Sequence, residues 1–163
     1  MWLLVFIAAG AVTVRVLAAF ESTVQAAVTL TFFVPLVIGT AGSTGAQSAT
    51  TITRAMAVGE LRLDDLRGVV VREGATGLLL GAVLGLLAFG PIAVLVEPKI
   101  ATIVSLTLGV ACTFSAFIGS ALPLLARRVG LDPAVMSVPL ISAIIDGSGL
   151  LAYFLIAGAI LGL

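Results

Sequence analysis

The charged residues of this chain are gathered into a few short connections, and the apolar stretches between them are too long for a water-soluble fold. From Ser22 to Thr53, from Gly74 to Val96 and from Ile100 to Ala126 no residue is acidic or basic. A membrane-spanning helix needs about 20 consecutive apolar residues. Only 10% of the 163 residues are charged, 61% are hydrophobic, and the mean hydropathy is +1.30. A soluble domain carries roughly 25% charged residues to cover its surface. The whole chain therefore reads as one membrane domain, with nothing left over for a water-facing one. Inside lipid every backbone N–H and C=O must be satisfied within the protein, and long apolar runs do this as α-helices. The fold class is an all-α membrane protein.

Five transmembrane helices are predicted, over about residues 2–20, 24–58, 70–96, 100–125 and 133–162. The run from Met1 has no basic n-region or small-residue cleavage pattern, so it reads as a first span and not as a signal peptide. The second segment is longer than a straight span requires, and Pro35 with the cluster from Gly39 to Gly45 suggests a break near 39–45. The stretch from Glu60 to Glu73 alternates charge with Leu61, Leu63, Leu66, Val69 and Val70, the pattern of a short helix lying on the membrane surface. Gly77, Gly81 and Gly85 recur at four-residue spacing, which favours close helix packing. Asp132 followed by Pro133 forms a helix start, as cap and first helical residue.

Arg54, Arg62, Arg67, Arg72, Arg127 and Arg128 fall on the side of the N-terminus, against Arg15 and Lys99 opposite. By the positive-inside rule the N-terminus is cytoplasmic and the C-terminus outside, in an inner or plasma membrane. Formal net charge is zero and no basic cluster suits nucleic acid, so lipid is the expected surroundings. The lone Cys112 cannot form an internal disulfide and reads as a packing residue.

Against this background Asp146 is the anomaly. It lies about 20 Å along any helix that starts at Asp132, at 1.5 Å per residue, near the middle of a bilayer. A carboxylate at that depth costs about 2.5–3.5 kcal/mol on the insertion scale and usually faces a bundle interior or a water-filled path. On a helix Asp146 shares its face with Pro139, Ser142, Ala143 and Gly149. The second segment offers a similar small or polar stripe through Gly39, Gly42, Ser43, Ala46 and Thr50, with Thr44, Gln47 and Arg54 beside it. Val34-Pro35-Leu36 and Val138-Pro139-Leu140 form a faint internal echo, in segments that cross in opposite directions.

Carboxylate, hydroxyl and carbonyl oxygens suit hard cations such as Mg²⁺, Ca²⁺ or Na⁺, and the chain has no histidine. One carboxylate holding a largely hydrated Mg²⁺ is chemically reasonable, and a second Asp146 across a two-fold axis would match the ion's charge. Enzymatic chemistry is not expected, because no nucleophile, base and partner group stand at catalytic spacing. No organic cofactor is expected. A Na⁺- or H⁺-coupled divalent cation exchanger and a non-transporting membrane scaffold subunit are the alternative functions.

The series Pro35, Gly39, Gly42-Ser43, Gly45 and Gln47-Ser48-Ala49-Thr50, then Asp132-Pro133-Ala134, Pro139-Leu140, Asp146 and Gly149, resembles the MgtE family of magnesium channels and transporters. The resemblance covers nearly the whole chain. It implies a homodimer with the ion path at the subunit interface, lined by the second and fifth helices, and Mg²⁺ as the transported ion. It also implies that Asp146 is the main cation ligand, with Gly39, Gly42 and Ser142 beside it. Ser43, Gly45, Ala46, Gln47, Thr50, Pro139, Ala143 and Gly149 are then expected to line the pore. Ala41-Gly42-Ser43 stands where the family commonly has Gly-Gly-Asn, and Val138 where a polar residue is often found. The family's cytoplasmic N-terminal and CBS domains are expected to be absent.

Overall fold

A computed structural model describes residues 2–61, 65–130 and 138–162; the side chains of residues 2, 3, 5, 6, 9, 26, 138 and 139 are not among those described. The described residues are helical almost throughout. They form α1 (Trp2–Ala19), α2 (Glu21–Ala26), a 3-10 segment (Val28–Phe33), α3 (Val34–Ala57), α4 (Leu66–Leu95), α5 (Pro98–Arg128) and α6 (Val138–Leu161). Among the described residues four helices are long and apolar enough to cross a membrane: the 3-10 segment with α3, then α4, α5 and α6. In α1 the described apolar stretch, Gly10–Ala19, is shorter. The surface helix expected near residues 60–73 falls partly on 62–64, outside the described residues, and from Leu66 the chain is already in α4. The helix start at Asp132 and Pro133 also lies outside them.

The break in the second segment is displaced from its expected place. α3 runs as unbroken α-helix through residues 39–45, and the irregular turn lies upstream, at Ala27 (φ −144°, ψ 73°) and the 3-10 segment. Proline explains this and glycine does not. Pro35 has no N–H and its ring clashes with the carbonyl four residues back, so it disfavours α-helix running into it from Thr31, although α4 and α5 do accommodate Pro91 and Pro123 in their interiors. In the first turn of α3 neither penalty applies, and that is where Pro35 sits. The glycines keep their donors, and neighbouring helices hold them in helical conformation.

Tyr153, fully buried on α6, braces the 3-10 segment by donating its hydroxyl to the Leu30 carbonyl at 2.9 Å. Phe20 stacks on Phe154 beside it, with ring centroids 5.4 Å apart. These groups join Leu30, Val37, Ile103, Val104 and Leu108 in the largest apolar core cluster, which ties the start of α3 to α5 and α6. Tyr153→Phe leaves the Leu30 carbonyl without that donor. It is expected to cost about 1–2 kcal/mol, read as a lower thermal midpoint in detergent.

α4 and α5 form a hairpin turned at Val96 and Glu97, with Pro98 opening α5. Besides side chains such as Val70 and Ile92, α4 meets α5 through three bare glycines. A Cβ on Gly77 would stand 2.6 Å from the Cys112 carbonyl oxygen, one on Gly81 2.6 Å from that of Leu108, and one on Gly85 2.8 Å from that of Ser105. The Ser105 hydroxyl donates to the Gly85 carbonyl at 2.8 Å. In lipid, helices associate by such close backbone approach and interhelical hydrogen bonds, because the hydrophobic effect no longer drives them together.

Candidate functional site at the seam of α3 and α6

α3 meets different neighbours on different sides, and its small residues decide how closely each can approach. Toward α4 and α5 it presents Thr44 and Ser48. The Thr44 hydroxyl lies 3.7 Å from Cys112 Sγ and donates to the Thr40 carbonyl at 2.8 Å. The Ser48 hydroxyl donates to Glu73 Oε2 on α4 at 2.8 Å. Sequence reasoning had placed Glu73 at the membrane surface beside Arg72. Its bond to Ser48 becomes visible only once α3 and α4 are known to be neighbours. Toward α5, Gly45 and Gly119 bring their two backbones into direct contact, and the Ile145 Cδ1 methyl of α6 packs over Gly45.

Toward α6, Gly42 leaves room for Asp146. A Cβ on Gly42 would stand 3.2 Å from Asp146 Oδ1, so the carboxylate lies against the bare backbone of α3. Asp146 is half-buried, and among the described residues no hydrogen bond donor takes its carboxylate. Ser142, one turn earlier on the same face of α6, is also half-buried. A mid-membrane carboxylate with no donor from its own chain is costly unless a partner or a cation meets it. No group of three acidic, histidine or cysteine ligands occurs among the described residues. One chain therefore offers one carboxylate and helix carbonyls, a donor set for a hydrated hard cation and not for a stripped transition metal.

The remaining candidate residues divide by face. Gly39, Ser43, Gln47, Thr50 and Arg54 form one exposed stripe along α3, and Ala46 beside it is half-buried. This is a polar face on a membrane-length helix, the kind that lipid does not cover. Thr50 spends its hydroxyl proton on the Ala46 carbonyl at 2.8 Å. Gly45 and Gly149 are buried in helix contacts, and a Cβ on Gly149 would stand 3.7 Å from the Ala41 methyl. Ala143 turns toward α1 and lines a groove of about 510 Å³ with Ala8, Val12, Ile144 and Gly147. Pro139 lies in the first turn of α6, its side chain outside those described.

Stacked glycine contacts around membrane-length helices, with one carboxylate set against a helix backbone, define a multi-pass membrane protein with a polar seam. The chain belongs to the MgtE family: the family model for MgtE, divalent cation transporter, matches residues 34–156, which include all of α3 and both sides of the seam. It is 41% identical over 160 residues to the magnesium transporter MgtE of Thermus thermophilus. It is 32% identical over 157 residues to the magnesium transporter MgtE of Enterococcus faecalis, and 30% identical over 159 residues to that of Bacillus subtilis. These alignments cover 98%, 96% and 97% of this chain but 36%, 35% and 35% of the relatives. The chain thus spans about a third of the length of the relatives it matches.

Proposed function

We propose that the chain moves Mg²⁺ across an inner or plasma membrane along a path between two copies of itself, with Asp146 of each copy as the principal cation ligand. The observation that carries this reading is the Asp146 carboxylate. It lies on the Gly42 backbone at the seam of α3 and α6, half-buried and without a donor among the described residues. A two-fold pairing brings two negative charges to one divalent ion and covers the exposed stripe of Gly39, Ser43, Gln47 and Thr50. Gly39, Gly42 and Ser142 then stand beside the ion, and Ala46, Gln47 and Pro139 along its route. Mg²⁺ gives up its waters reluctantly, so the ion is held largely hydrated. Relatives named magnesium transporters support the choice of ion. The placement of basic residues supports a cytoplasmic N-terminus.

The test is Mg²⁺ uptake by the purified protein in liposomes carrying an internal Mg²⁺ indicator, compared with Asp146→Asn. Uptake by the variant at the unmodified rate overturns the reading. Uptake that requires a Na⁺ or proton gradient replaces the simple path with coupled exchange.

A further inference from the structure

The last turn of α3 carries a feature that the cation path does not explain. Gly59, with φ +78°, ends the helix by the two hydrogen bonds of a Schellman turn: Glu60 N–H to the Ala55 carbonyl at 2.9 Å, and Gly59 N–H to the Met56 carbonyl at 3.2 Å. The turn sends the chain back over the helix end. Thr50, Thr51, Arg54 and Glu60 consequently line one polar cavity of about 390 Å³ with Ala55 and Val58. Arg54 is exposed and continues the stripe of Gly39, Ser43, Gln47 and Thr50 at helical spacing. Among the described residues no hydrogen bond or ion pair holds its guanidinium. A fixed positive charge thus stands at the end of the face that is read as a cation route.

We propose that Arg54 sets the cation affinity of the path mouth at the C-terminal end of α3: its charge repels the arriving divalent ion, while Glu60 across the same cavity draws it in. This rests on the Asp146 path proposed above. Repulsion is twice as large for a divalent ion as for a monovalent one, so the mouth responds most strongly to the ion the path carries. At roughly 8 Å in water one guanidinium lowers the local concentration of a divalent cation about fivefold. Near 0.15 M salt, where the Debye length is about 8 Å, the effect falls to about twofold. The bland alternative is that Arg54 merely offsets the partial negative charge at the C-terminus of α3. That role predicts a lower thermal midpoint for Arg54→Gln with no salt-dependent shift in half-saturation.

The experiment is the Mg²⁺ concentration for half-maximal uptake into liposomes in which the protein is oriented with the C-terminal end of α3 facing outward, for Arg54→Lys, Arg54→Gln and Arg54→Glu, at low ionic strength and near 0.15 M monovalent salt. Arg54→Lys is expected to match the unmodified protein. In Arg54→Gln the half-saturating concentration falls about fivefold at low salt and about twofold near 0.15 M. Arg54→Glu shifts it further the same way, and if that variant does not fold the glutamine variant carries the test alone. A half-saturating concentration that is unchanged in Arg54→Gln, or changed equally at both salt levels, overturns the proposal. Asp146→Asn is assayed in parallel. If it abolishes uptake while the Arg54 variants change nothing, only the role of Arg54 falls. If it leaves uptake intact, the path falls and this inference with it.

Discussion

Asp146→Asn is expected to cut Mg²⁺ uptake by about 100-fold or more while leaving the helical fold in place. Asparagine keeps the shape of the side chain and one carbonyl oxygen, so packing against Gly42 survives. What goes is the charge, and under the two-copy reading it goes twice, leaving a divalent ion with neutral dipoles only. Losing even an outer partner of a metal ligand typically costs 10–100-fold, and losing the ligand's charge costs more. The stability of the variant is expected to hold or rise, because a buried-span carboxylate without a donor is itself a burden. Uptake and thermal midpoint measured on the same preparation separate the two effects. A variant that loses both in proportion would point to a folding defect and not to a missing ligand.

The second large effect is expected at Gly119, where α5 touches α3. A Cβ there would run into the carbonyl oxygen of Gly45, with its carbonyl carbon at 2.9 Å and Cα at 3.0 Å. All three are backbone atoms, so no rotamer change can make room and the two helices must move apart. Overpacking of this kind costs about 3 kcal/mol at the upper end of the usual range. For a chain of this size that corresponds to a fall in thermal midpoint on the order of 10 °C. Gly119→Ala is therefore expected to unfold well below the unmodified protein. Gly109→Ala is the matched control on the same helix, since a Cβ at Gly109 meets nothing within 4 Å. Equal midpoints for the two variants would remove the argument that backbone contact holds α3 on α5.

The outline of the fold was legible because length and lack of charge leave a membrane chain few choices. The runs that become α4 and α5 could be marked from residues alone, and so could the packing use of Gly77, Gly81 and Gly85. The turn near the start of the second segment was misplaced because glycine and proline both weaken helices in isolation. In the bundle they part company: glycine lets neighbours close in, whereas Pro35 sits in the first turn of α3, where its missing donor costs nothing. The small-residue face of α3 and the Asp146 face of α6 could each be read from periodicity, whereas their pairing was only what the family resemblance implied. Which of two adjacent small residues faces which neighbour could not be read. Successive positions are about 100° apart, so Ala143 turns to α1 and Gly45 to α5 although each is within a few residues of the seam. The Ser48 bond to Glu73 was hidden for a different reason, since it joins two helices whose adjacency no single stretch of sequence declares.

The contact of Gly45 with Gly119 carries a mechanical consequence. Two backbones in direct touch have no side chains to reshuffle, so they can slide or separate but cannot adjust in place. The same holds between α4 and α5 at Gly77, Gly81 and Gly85. Helices α3, α4 and α5 therefore behave as one stiff body. α6 is held to that body through side chains, Asp146 on Gly42, Ile145 over Gly45 and the Ala41 methyl at Gly149, which can change rotamer or shift by fractions of an ångström. Whatever motion widens or narrows the seam is expected to be borne by α6 as a lever against a rigid wall, with its fulcrum where Tyr153 grips the Leu30 carbonyl.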